Sequence, residues 1–141
     1  MSQAVATASD AEIVLKLYEL RRETVMRQAR KWFSDFNPSS AVELLRVQSA
    51  WGSQENAYFR QVVSYWDMAA ALVNRGAVHP GLFLDWSGEM IFVFSKLAPY
   101  LEELRKASHD YFAANIEQVI AGSPEAEKRL AAMIEKNKAR R

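Results

Sequence analysis

Residues 56–75 constrain this chain more than any other segment. At about 100° per residue, Tyr58, Phe59, Val62, Val63, Tyr65, Trp66, Ala69, Ala70, Leu72 and Val73 cover one half of a helix. The other half carries Asn56, Arg60, Asp67 and Asn74 nearly in line. A helix with so broad an apolar face belongs at the centre of its domain. Its polar stripe is therefore expected to meet neighbouring protein, with Glu89, Lys96, Glu19, Arg21 and Arg22 as partners for Arg60 and Asp67.

Helix signals recur on both sides of this segment. Ser9 with Glu12 predicts a capping box that opens a helix over 10–33, with Ile13, Leu17, Leu20, Met26 and Trp32 on its buried side. Asn37-Pro38 breaks it, and Ser40 with Glu43 predicts a short helix ending near Ala50. Ser53 caps the central helix and Gly76 stops it. His79-Pro80-Gly81 is a turn, followed by one helical turn over 82–86. A helix from Ser87 or Gly88 carries Met90 to Phe94 and restarts at Pro99. The next runs from His109 to Ala121 and offers Tyr111, Phe112, Ile116, Val119 and Ile120 for burial. Ser123-Pro124 opens a last helix whose thin apolar patch, Leu130, Met133 and Ile134, predicts weak docking. The expected architecture is all-α: a single-domain bundle of five to six helices around the aromatic-rich one. Its divisions are a flexible N-terminus (1–9), the bundle (10–121), and a basic C-terminal helix (122–141) that is weakly docked or frayed.

Composition excludes several chemistries. The 141 residues contain no cysteine, so thiolate zinc sites, iron–sulfur clusters and cysteine nucleophiles are out of reach of this chain. Eighteen basic against 17 acidic residues leave no global field to draw in nucleic acid or anionic lipid. The N-terminus does not read as a signal peptide, and no run approaches the roughly 18 apolar residues of a membrane span. A soluble, cytoplasmic protein is expected. The chain lacks a phosphate loop, a dinucleotide-binding glycine pattern and a nucleophile elbow, so no cofactor is expected. His79 and His109 have no partners at metal-ligand spacing and read as surface or capping residues.

Two sets of residues stand out as candidate sites. Tyr58, Arg60, Tyr65, Asp67 and Glu89 together would make a polar–aromatic pocket between helices for a small molecule, although an inter-helix salt-bridge network fixing register, or a solvated face, is the favoured reading. If Asp67 and Glu89 met across helices, they would form a pair capable of acid–base work. The second set is an interaction surface of Arg21, Arg22, Arg27, Arg30 and Lys31 with Trp51 and Trp86, since tryptophan is enriched at protein interfaces. The same cations could meet phosphate, but Glu19 and Glu23 lie among them and the solvated face is favoured.

Several segments carry a resemblance. Leu17-Tyr18-Glu19-Leu20-Arg21-Arg22, Met26 through Phe33, Phe36-Asn37-Pro38, Asn56 through Val62, Tyr65 through Ala70, Gly88-Glu89 and Lys96-Leu97 resemble a group of small bacterial proteins known as a domain of unknown function. The match covers about residues 13–120. It implies a bacterial origin and a helical domain and transfers no catalytic residue. Some relatives carry an N-terminal membrane helix, which this sequence does not display. The expected function is a non-enzymatic interaction or regulatory module that binds a protein partner or a second copy of itself. The alternative is a small-molecule sensor, with nucleic-acid binding behind both.

Overall fold

Threonine or serine side chains cap four of the helices, at Thr7, Ser40, Ser53 and Ser123. In the computed structural model, which describes residues 5–141, α1 (Ala8–Arg21) starts at Thr7. The Thr7 hydroxyl accepts from the Asp10 N–H at 3.2 Å, and the Asp10 carboxylate accepts from the Thr7 N–H at 2.7 Å. This capping box lies two residues ahead of the one expected at Ser9. The flexible segment expected over 1–9 is outside the described residues at 1–4, and the chain is helical from Ala8.

The single helix expected over 10–33 is broken. Glu23 leaves helical geometry (φ −62°, ψ 144°) and its carboxylate accepts from the Met26 N–H at 2.9 Å, starting α2 (Thr24–Asp35). A carboxylate able to cap a new helix competes with continuation of the old one. The break puts the apolar faces of α1 and α2 out of register, and Leu20 is exposed rather than buried.

The next two helices start where expected. Ser40 caps α3 (Ala41–Ser49), and Ser53 caps α4 (Gln54–Asn74). Gly76, at φ 82°, ends α4: its N–H donates to Val73 O at 3.0 Å while Ala77 N–H donates to Leu72 O at 2.8 Å. His79 opens α5 (Pro80–Trp86), its Nδ1 accepting from Leu82 N–H at 3.1 Å. Then follow α6 (Gly88–Leu97), a 3-10 turn at Pro99 (Ala98–Tyr100), α7 (Leu101–Ala107), α8 (Ala114–Ala121) and α9 (Pro124–Ala139). The described residues are all-helical, in more and shorter pieces than the five or six expected.

Helix α4 is central, as its composition demands. It packs against α2, α3, α6 and α8 and buries Phe59, Val62, Val63, Trp66, Ala69 and Ala70. Each large apolar side chain so buried contributes about 1.5–3 kcal/mol. On α6, Met90, Ile91, Val93, Phe94 and Leu97 are buried, and that helix also packs against α9.

The polar stripe of α4 serves its neighbours' ends. Asn56 is buried and fully used: its Nδ2 donates to Val47 O (3.0 Å) and Gln48 O (2.9 Å), and its Oδ1 accepts from Arg60 Nε (2.9 Å). Asp67 caps α8 from outside, its Oδ1 accepting from Asn115 N–H (3.1 Å) and Ile116 N–H (3.2 Å). Helix α8 needs that help, because its own N-cap is Ala113, which sits at φ 56° and has no side chain able to cap. Asn74 donates to Asn115 O at 3.1 Å. The partners expected for Arg60 and Asp67 are thus not the ones found. Arg60 is exposed and lies against Trp51, 4.4 Å from its ring.

Lys96 performs the same service on α6. Its buried ammonium donates to Phe33 O (2.7 Å), Ser34 O (3.1 Å) and Phe36 O at the end of α2, and lies over the Phe92 ring at 4.3 Å. A cation at a helix C-terminus meets the negative end of the helix dipole.

The last helix, expected to be weakly docked or frayed, has attachments that apolar spacing does not reveal. Asn137 is buried on α9 and donates from Nδ2 to Ser95 Oγ at 2.8 Å, while Asn37 Nδ2 donates to Asn137 O at 3.1 Å.

Replacing Asp67 with alanine removes the α8 cap. A loss of about 1–2 kcal/mol is expected, measured as a lower urea midpoint, with α8 amides exchanging first. Lys96→Met leaves three carbonyls without their donor and is expected to cost about 1–3 kcal/mol at neutral pH. Burial, reinforced by Arg140 and opposed by Asp35, pushes the Lys96 ammonium down to about 8. The unfolded chain holds this proton up to 10.5, so between about 8 and 10.5 the unfolded state binds more protons. Stability contributed by this site therefore rises with pH across that window. Denaturation of the parent and Lys96→Met at pH 7.5, 8.5 and 9.5 checks the sign: the gap between them widens.

Candidate functional site

With its polar stripe committed to helix ends, α4 does not gather the five residues expected to form one pocket. Tyr58 is half-buried beside Trp32, at 6.4 Å between ring centroids. Tyr65 is buried and donates its hydroxyl to Leu17 O, binding α1 to the core. Burial pushes that phenol up to about 12, so it stays a donor throughout the physiological range. Glu89 lies in one groove; Arg60 and Asp67 lie in another. Asp67 and Glu89 do not meet as an acid–base pair: Asp67 is held by the start of α8 and Glu89 by Arg21 and Arg30.

The Arg60 side is a cleft of about 680 Å³ between the α3–α4 turn, α4 and the 107–113 loop. Phe59 and Val63 close its base, and Phe112 stacks on Phe59 at 6.4 Å with rings 6° from parallel. Trp51, 73% exposed, forms one wall, backed by the Arg60 guanidinium. Tyr111, 71% exposed, forms another, its ring 3.9 Å from that of His109. Arg105 braces the loop, donating from Nε to Phe112 O at 3.0 Å and pairing with Glu117 at 2.9 Å. The cleft thus offers two aromatic faces, an apolar base, and the terminal guanidinium nitrogens of Arg60, whose Nε alone is bound to Asn56.

The sequence did not mark Tyr111, His109 and Phe112 as a site. Tyr111 was expected in the core of a helix beginning at His109, but α8 begins five residues later and leaves it on the surface. The available signal was Ser108-His109-Asp110, a polar run more typical of a loop than of a first helical turn.

The Glu89 side is a more open groove of about 690 Å³. Glu89 Oε2 takes Arg21 Nη2 at 2.7 Å, and Arg30 Nε lies 2.9 and 3.0 Å from its two oxygens. Arg30 also donates from Nη1 to Arg21 O at 3.2 Å, so this triad joins α1, α2 and α6. Arg27 and Lys31 line the same groove from α2. Arg22 does not; it is exposed and lies 5.9 Å from the Tyr18 ring. Trp86, expected to share a surface with Trp51, is half-buried against Trp66 and Phe83. Five of the seven residues expected to form one interaction surface therefore meet or adjoin the basic groove, and Trp51 belongs to the other cleft.

Among the described residues no three His, Asp or Glu side chains gather as a metal site requires, and no helix is long and apolar enough to cross a membrane. No curated protein and no solved structure matched the chain. A family model did, over residues 6–123, from the residue before the capping threonine of α1 to the cap of α9. The chain accordingly belongs to the DUF4760 family, a domain of unknown function.

Proposed function

We propose that this protein is a non-enzymatic recognition module that binds a segment of another protein, or of a second copy of itself, in the cleft between the α3–α4 turn, α4 and the 107–113 loop. The observation that carries this reading is the pair of exposed aromatics, Trp51 and Tyr111, on walls of one apolar-based cleft. Aromatic side chains in such positions supply most of the energy of protein recognition at little conformational cost. Each is stiffened by a neighbour, Trp51 by Arg60 and Tyr111 by His109. A fitting segment presents an apolar or aromatic side chain to Phe59 and Phe112, with a carboxylate for Arg60. We place the module in a bacterial cytoplasm, following the family resemblance and the sequence.

The cleft volume supports a second reading, a small-molecule sensor. A space of about 680 Å³ falls within the roughly 300–1,000 Å³ of small-molecule sites. Its pocket would use Arg60, Trp51 and Tyr111 rather than Tyr58, Tyr65 and Glu89.

Native mass spectrometry of the protein from its own host, beside a Trp51→Ser/Tyr111→Ser variant, separates these readings. A dimer or heteromer lost in the variant supports the interaction module, with affinity expected to fall about 30-fold or more. A small added mass lost in the variant supports the sensor. A bare monomer from both would sink both readings. The variant's folding stability is expected to stay within about 0.5 kcal/mol, since both side chains are exposed.

A further inference from the structure

Four buried donors lack hydrogen-bond partners: Arg21 Nε, on a residue that lines the basic groove, the hydroxyl of Ser87, which precedes the lining residue Gly88, and Nε1 of Trp66 and of Trp86. The Arg21 guanidinium lies 5.4 Å from the Trp66 ring and 5.7 Å from the Trp86 ring, and Ser87 follows Trp86 directly. A buried donor left without an acceptor is costly, and such groups gather where a water or ligand completes them. Of these, Arg21 and Ser87 stand at the groove itself, on a lining residue and at the N-terminus of the helix that begins in its wall.

The groove outside them has the same bias. Arg21, Arg27, Arg30 and Lys31 line it against a single carboxylate, Glu89. Lys31 leans outward to Asp35 at 3.3 Å, both strongly exposed, whereas Arg27 has no carboxylate within ion-pair distance among the described residues. Helix α6 begins in this wall, and its N-cap, Ser87, is fully buried yet makes no side-chain cap bond. Gly88 leaves the first turn without a side chain, and a Cβ there would stand 3.0 Å from Arg129 Nη2, so α9 brings a further cation to the spot. A helix N-terminus flanked by guanidinium groups suits an oxyanion. Phe92 and Met133 supply an apolar surface for the rest of a ligand.

We propose that this groove binds a small phosphoryl-bearing molecule, its phosphate held between the start of α6 and the guanidinium groups of Arg27 and Arg30. Glu89 acts there as an internal anion that keeps Arg21 and Arg30 in place and limits affinity by its own charge. A free small molecule fits better than nucleic acid, because the cations line one groove at the start of α6 and Arg22 lies outside it. The site also depends on α9, which supplies Met133 and Arg129 from beyond the residues matched by the family model.

Inorganic pyrophosphate, titrated calorimetrically at fixed ionic strength with sulfate as a control, tests this. Binding to the parent is expected, weakened about tenfold or more by Arg27→Ala/Lys31→Ala, whose exposed side chains do not support the fold. Glu89→Gln is expected to bind pyrophosphate more tightly than the parent while melting at a lower temperature, a split that a purely structural triad would not give. No binding by the parent or by Glu89→Gln at millimolar pyrophosphate would overturn the proposal. So would binding indifferent to Arg27→Ala/Lys31→Ala, or binding matched by sulfate. Tighter binding of a duplex DNA, dependent on Arg22, would transfer the surface to nucleic acid and equally overturn it. The Trp51→Ser/Tyr111→Ser variant is expected to bind pyrophosphate as the parent does, which keeps this site separable from the cleft.

Discussion

Helices α2, α3 and α8 each end against the core, where water cannot satisfy their terminal N–H and C=O groups. Lys96 holds the end of α2, Asn56 the end of α3, and Asp67 the beginning of α8. All three side chains project from the two most buried helices, α4 and α6. A domain built from short helices has many such ends, since each helix leaves up to four donors and four acceptors unsatisfied. Long-range bonds from side chain to backbone therefore act here as joints, in addition to apolar packing. Tyr65 on Leu17, Asn37 on Asn137 and Arg105 on Phe112 follow the same pattern at other corners.

This arrangement determines which polar residues are left for recognition. Asp67 looks like a pocket residue when α4 is drawn alone, yet its hydrogen-bonding capacity, like that of Asn56 on the same stripe, is largely spent on neighbouring backbone, at Asn115 and Ile116 for Asp67 and at Val47 and Gln48 for Asn56. Arg60 keeps its terminal nitrogens because Asn56 takes only its Nε. On the opposite groove, Glu89 draws in two of the arginines and leaves Arg27 uncommitted. The two open surfaces differ in chemistry accordingly. One presents aromatic faces over an apolar base; the other presents donors and positive charge.

Several elements were legible from local chemistry. Ser40, Ser53 and Ser123 cap the helices they were expected to cap, Gly76 closes α4, and Pro99 restarts the chain after α6. These are short-range effects, decided by which backbone groups a side chain can reach within three or four residues. The break at Glu23 is not legible in the sequence because Glu is also a good helix former, and only the folded chain holds it in the capping conformation that starts α2. Tyr111 differs for a similar reason: an aromatic in a helical pattern reads as core, but the loop that carries it turns Phe112 and Ala113 inward and leaves Tyr111 exposed.

By itself, the sequence determined that the chain is helical, that residues 56–75 lie at the centre, and that no cysteine chemistry is available. Those conclusions follow from periodicity and composition, which act within a single segment. Only the tertiary structure decided that Asp67 and Glu89 lie apart, that Arg21 and Arg30 converge from separate helices, and that Trp51 and Tyr111 share one cleft. Pairs such as Arg21 and Glu89, 68 residues apart, meet only when helix directions are settled. Those directions depend on packing and on the long-range joints at helix ends, neither of which leaves a periodic signature in the chain.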